Sequence, residues 1–176
     1  MRVVPAGSAA CRSVRVRWAM AGAAAGVVAA DQVSKSLILA SRVTAAGTGP
    51  VMVRLLRNTG ASGGIEAGHP VLVTLVGLVI SLGAVVLAIR VRSRVTALCL
   101  AAVCGGAIGN LSDRVLRAPG FGRGGVVDWI HVAGGGGSFN VADLAIQFGA
   151  IAAVVAMFAA EREPRIPKAQ RPAGYT

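Results

Sequence analysis

Acidic residues are scarce in this 176-residue chain: seven Asp and Glu stand against eighteen Lys and Arg, a formal net charge of +11. Aromatic residues are equally scarce, at 4%, and the arginines do not interleave with rings in the way that stacks unpaired bases. No nucleic-acid partner is expected, despite the basic balance. The three cysteines, Cys11, Cys99 and Cys104, make neither an even disulfide set nor a metal-ligand spacing. A disulfide framework and a zinc site are therefore not expected, and nothing else calls for a metal or a cofactor. Cys11 follows Ser8-Ala9-Ala10 as in a lipoprotein cleavage box, but no apolar run precedes it. Charged residues amount to only 14%, while 55% belong to the apolar set, which excludes a disordered or collagen-like chain and leads to an integral membrane protein.

The charges fall in the gaps between long apolar runs. Residues 71–89 form an uncharged run of membrane-spanning length, and three weaker runs accompany it: 18–40, interrupted by Asp31 and Lys35; 95–111, with Asn110; and 144–160, with Gln147. The expectation is an all-α integral membrane protein with four transmembrane helices, forming a single membrane domain over 1–176. The alternative for the first run, with Arg12, Arg15 and Arg17 ahead of it, is a signal peptide. Basic residues concentrate before the first run, between the second and third, and after the fourth, so both termini are expected to be cytoplasmic. The connections 41–69 and 112–140 would then face outward, and the tail 161–176, with three prolines, would be a disordered cytoplasmic segment.

Ionisable groups at the edge of a span need a partner or a chemical role. Asp31 and Lys35, in DQVSK, stand four apart on one helix face, where they can pair to orient the helix end or take part in chemistry. The third span ends GGAIGNLSDRV. Gly105 and Gly109 make a small-xxx-small packing pair, while Asn110 and Arg114 share a face and aim an amide and a guanidinium at one place. Asp113 points elsewhere, to hold the arginine or cap the outer helix end. Asp128 lies in GGVVDWIHV, an extended return segment, and Asp143 in FNVADLAI, where Phe139 to Asp143 open the fourth helix with Asn140 on the face of Asp143. The glycines at 134–137 let the two carboxyls meet. A converging pair holds one proton between two carboxyls, the state that activates water and protonates a leaving amine, whereas two separate aspartates would merely face headgroups. His131 is expected to be a polar anchor at the interface. Residues 51–57 alternate as a short strand running to Asn58, a platform suited to an extended peptide.

Five separated segments, DQVSK, NTGAS, GNLSDRV, VVDWI and FNVADLAI, occur in the order found in one family. The chain resembles bacterial signal peptidase II, the lipoprotein signal peptidase, an aspartyl protease of the inner membrane. The resemblance implies an endopeptidase that cuts diacylglyceryl-modified prolipoproteins before the lipidated cysteine, with its active site near the outer face. It implies Asp128 and Asp143 as the catalytic pair; Asn58, Asn110, Arg114 and Asn140 as polar support around the scissile peptide; and Asp31 and Lys35 as the motif of the family's first helix, which with Asp113 are read as structural groups. It also implies a small extracytoplasmic β-sheet cradle and a short outer helix near 65–69, with membrane lipid as a partner and a monomeric enzyme. Gly63-Gly64 and the glycine run at 134–137 depart from the family pattern. A four-span proton-coupled transporter, with Asp31, Asp128 and Asp143 as a relay, and a non-catalytic scaffold are the alternatives.

Overall fold

The computed structural model describes residues 7–60, 70–91 and 93–162, so the expected outer helix near 65–69 and the tail beyond 162 lie outside the described residues. Among the described residues, four helices and four short strands follow one another as α1 (Gly7–Ser41), β1 (Ala45–Ala46), β2 (Val51–Asn58), α2 (Pro70–Arg90), α3 (Arg94–Leu116), β3 (Val126–Val132), β4 (Gly137–Phe139) and α4 (Val141–Arg162). Three stretches, Val14–Ser41, Arg94–Leu116 and Val141–Ala159, are long and apolar enough to cross a membrane, and α2 is apolar over Thr74–Arg90. The helices outrun the apolar runs. At about 1.5 Å per residue α1 is roughly 50 Å long, well beyond the thickness of a bilayer core.

Helix α3 is central, packing on α1, α2 and α4, and its small residues explain why. A Cβ on Gly105 would meet the Ala24 carbonyl oxygen of α1 at 2.6 Å, and one on Gly106 would meet the Ala142 carbonyl oxygen of α4 at 2.5 Å. Gly109 completes the set: its Cβ would stand 2.7 Å from Asp31 Oδ2. Gly105 thus opens the contact with α1 and Gly106 the contact with α4, while Gly109 makes room for a carboxylate rather than for a helix backbone. Gly106→Ala should push α4 off α3 and cost about 1–3 kcal/mol, the usual penalty of overpacking. Gly22→Ala, inside α1 at a position with nothing within 4 Å, should not lower stability and by helix propensity should raise it by up to about 1 kcal/mol. Thermal unfolding in detergent micelles measures the contrast, and equal melting temperatures for the two variants would contradict it.

The sheet is antiparallel throughout, in the order β1-β2-β3-β4. The register shifts between Val53, opposite Ile130, and Leu56, opposite Asp128, so Arg54 and Leu55 together face the single residue Trp129. This bulge decides which way Asn58 points. Paired residues share a face and a one-residue slip reverses it, so without the extra residue Asn58 would turn away from Asp128. Strand β3 ends a chain path from α3 that is itself cramped: a Cβ on Gly124 would run into the Asp113 carbonyl oxygen.

Candidate active site

The fourth helix begins with a reciprocal cap. Asn140 Oδ1 accepts from the Asp143 backbone N–H at 2.9 Å, and Asp143 Oδ2 accepts from the Asn140 backbone N–H at 3.2 Å. This is the capping-box geometry, which satisfies two backbone donors of the helix N-terminus and fixes Asp143 in the first turn. The fourth helix accordingly opens at Val141, with Phe139 left in β4. The Asn140 amide then has its Nδ2 available, and it donates to Asp128 Oδ1 at 2.7 Å and to Asn110 Oδ1 at 3.1 Å. One asparagine therefore joins β3, α3 and α4.

Each carboxyl of the pair has a second amide. Asn110 Nδ2 donates to Asp143 Oδ1 at 2.8 Å, and Asn58 Nδ2 donates to Asp128 Oδ2 at 3.1 Å. Asn58 is held for this by an Asx turn, its Oδ1 accepting from the Gly60 N–H at 3.0 Å. Arg114 donates through Nη2 to the Gly60 carbonyl at 2.6 Å, and its Nη1 is buried with no hydrogen-bond partner among the described residues. Asp128, Asp143, Asn58, Asn110 and Arg114 all line one cavity of about 250 Å³. The rest of its wall is mostly apolar, with Val76, Ile80, Leu111 and Ile146 from α2, α3 and α4, and includes the hydroxyl residues Thr74 and Ser138.

Behind the pair lies an ion network. Lys35 Nζ stands 2.7 Å from Asp31 Oδ2 and 2.8 Å from Asp113 Oδ2, all three side chains fully buried. Asp113 also accepts from Arg117 Nε at 2.6 Å and from the Val127 N–H at 3.1 Å. The arginine held by Asp113 is thus Arg117, one helical turn on, rather than Arg114, which faces the cavity. Asp31 Oδ1 accepts from the Ala142 N–H at 3.0 Å, tying the α4 start to α1. His131 lies three residues from Asp128 on the opposite face of β3, its Nδ1 3.0 Å from Ser138 Oγ.

Three contributors stand outside the residues expected from the sequence. Gln32 Nε2 reaches Asp31, the Gly109 carbonyl and Asp113 at 3.1, 3.1 and 3.3 Å, and sits inside DQVSK. The Gly60 carbonyl is a backbone atom, visible only once the turn is built. The N-x-x-D spacing of Asn140 and Asp143 is the signal that could have revealed the cap.

The electrostatics follow from counting. Asp31, Asp113, Asp128 and Asp143 are four carboxyls, and Lys35, Arg114 and Arg117 are three cations, so this buried group is neutral when a single carboxyl is protonated. Unbalanced charge away from water is costly, which favours one proton in the group. Asp31 and Asp113 are ion-paired, leaving the proton to Asp128 or Asp143. Burial first, and then the charge of Asp143, push the Asp128 carboxyl up to about 6, against the lowering effect of its Asn58 and Asn140 hydrogen bonds and of Lys35. Among the described residues no group of three His, Cys, Asp or Glu is arranged to hold a metal ion. What the arrangement can do is share a proton across a cavity wall.

The chain is similar to known proteins. The chain is 36% identical over 138 residues to the lipoprotein signal peptidase of Bifidobacterium adolescentis, covering 76% of this chain and 73% of that protein. With the lipoprotein signal peptidase of Rhodococcus jostii it shares 47% identity over 105 residues, 60% of this chain and 52% of that one, so it spans about half the length of that relative. Among solved structures, a bacterial membrane enzyme determined by the in meso method at 2.3 Å resolution superposes with a TM-score of 0.70 at 25% identity, covering 85% of this chain and 93% of the other. A second bacterial membrane enzyme, at 1.9 Å, gives a TM-score of 0.65 at 27% identity over 78% and 91%. The family model for signal peptidase (SPase) II matches residues 23–159, and the chain belongs to that family.

Proposed function

We propose that this chain is an intramembrane aspartyl endopeptidase that removes signal peptides from diacylglyceryl-modified prolipoproteins by cutting before the lipidated cysteine. The observation that carries the proposal is the Asp128 and Asp143 pair, bound to one asparagine on the wall of a largely apolar cavity. Helix α2 serves as a fourth span, the sheet as an outer cradle for the peptide, and the bacterial inner membrane holds a monomer with both termini cytoplasmic and the site near the outer face. The arginine distribution supports that orientation.

The chemistry needs only the groups at hand. Water attacks the scissile carbonyl carbon and gives a proton to the ionised carboxyl, while the protonated carboxyl gives its own to the departing nitrogen as the C–N bond breaks. The pair ends with one proton, as it began. Arg114 and the asparagines donate to the oxygen on which charge develops. The apolar cavity walls suit acyl chains that stay in the bilayer while the peptide enters from outside.

Purified protein should cleave a synthetic peptide carrying a diacylglyceryl cysteine, leave the same peptide without lipid intact, and work equally well with a chelator present. A proton flux in vesicles without cleavage would instead support the transporter. The pH dependence has a definite sign. The protonated partner is lost as Asp128 ionises, so kcat/KM should fall on the alkaline side with an apparent midpoint near 6, the value burial and Asp143 give Asp128. Activity that rises through pH 6–8 would contradict this assignment of the acid.

A further inference from the structure

Lys35 is the most deeply buried cation of the described molecule, with none of its surface exposed, and the bond-breaking steps do not use it. Its ammonium has three N–H donors and three acceptors around it: Asp31 Oδ2, Asp113 Oδ2 and, at 3.1 Å, Asn110 Oδ1. The third contact is the informative one. Two carboxylates would already neutralise Lys35 together with the cation of Arg117, yet its remaining N–H is aimed at a neutral amide that itself touches Asp143.

A lysine can only donate, and an ionised carboxylate can only accept. Asn110 lies between one of each, so only one orientation of its amide satisfies both sides: Oδ1 toward Lys35 and Nδ2 toward Asp143. The same Oδ1 accepts from Asn140 Nδ2, whose second contact is Asp128 Oδ1. Turning the Asn110 amide over would bring two donors against the Lys35 ammonium and an oxygen against Asp143, and it would also remove the acceptor that steadies Asn140. We propose that Lys35 is a positioning residue of the carboxyl pair, setting the polarity of the Asn110 amide and, through it, the donors received by Asp143 and Asp128. The inference rests on the aspartyl reading above and adds to it a residue that never meets substrate. The charged groups around this chain of contacts are Asp31 from α1, Asp113, Arg114 and Arg117 from α3, Asp128 from β3 and Asp143 from α4. The positive charge of Lys35 also lowers the proton affinity of Asp128, so its removal should move the alkaline limb upward.

Lys35→Met alone would strand Asp31 and Asp113, so the test uses two charge-balanced double variants, Asp31→Asn with Lys35→Met and Asp113→Asn with Lys35→Met. Each is assayed on the diacylated peptide in parallel with the wild type and with Asp128→Asn. The expected result in at least one folded double is a kcat lowered about tenfold or more with KM within about twofold, and an alkaline limb shifted up by about half a pH unit or more. Wild-type kcat and pH profiles in every double that folds would overturn the proposal. So would failure of both doubles to fold, since Lys35 would then be needed for the scaffold alone. Cleavage by Asp128→Asn at the wild-type rate would instead overturn the aspartyl reading itself, independently of either double.

Discussion

Replacing Asp128 or Asp143 by Asn should lower kcat by on the order of 10³-fold or more, because each change removes one half of a proton-sharing pair and general acid-base catalysis is worth about that much. The protein should survive both. Asp128 is 1% exposed, and its carboxyl is pushed toward the protonated form by burial and by Asp143, so Asn relieves a charge cost at neutral pH but turns one of the two oxygens that accept from Asn58 and Asn140 into a donor facing a donor. The two effects oppose each other, and Asp128→Asn should stay folded at pH 7.5 with a loss of no more than about 1–3 kcal/mol. Asp143→Asn gives up part of the cap on α4 and should cost about 1 kcal/mol, the usual worth of such a cap. Cleavage assays and thermal unfolding on the same preparations check both halves. Activity within about tenfold of the wild type in either variant would remove that residue from the chemistry.

Arg114→Lys should cost about 10²-fold in kcat/KM, the scale seen when one preorganised donor to a developing oxyanion is lost. Arg114 has a division of labour that lysine cannot reproduce. Nη2 is spent on the Gly60 carbonyl, which sets the turn holding Asn58, while Nη1 is buried with no partner among the described residues, in a side chain that lines the cavity. A single ammonium can serve one of these places and not both, and it lacks the planar fork. If the ammonium keeps Gly60, the loss should appear mainly in kcat; if it turns to the substrate, Asn58 loosens and KM rises as well. Steady-state kinetics separate the two, and wild-type kinetics would reduce Arg114 to an anchor at the helix end.

How much of this was legible before the coordinates depends on range. Helix faces are local, so the pairing of Asp31 with Lys35 and the common direction of Asn110 and Arg114 could be read from i, i+4 spacing. The strand at 51–57 followed from alternation, yet alternation alone does not reveal the bulge at Arg54 and Leu55 that turns Asn58 toward Asp128. The packing role of Gly105 was likewise readable, while that of Gly106 was not. Spacing of four suggested Gly109 as the partner of Gly105, whereas α3 is squeezed between two helices and meets α4 through Gly106. Asp113 shows the limit most clearly. Its acceptors are filled by Gln32 and Lys35 of α1, an arginine four positions later and a strand amide, and only the assembled fold brings the α1 side chains and the strand amide to it. The convergence of Asp128 and Asp143 on Asn140 is of the same kind, a meeting of β3 with the cap of α4 that no single motif contains.

The most direct test of the central proposal is a first-turnover cleavage of the diacylated peptide in ¹⁸O-labelled water, with both products analysed by mass spectrometry. Attack by a water held between Asp128 and Asp143 should give one cut, immediately before the lipidated cysteine, with the label already in the new C-terminal carboxylate during the first turnover. An intact peptide, a cut elsewhere, or a first turnover in which that carboxylate carries only unlabelled oxygen taken from an enzyme side chain would contradict it.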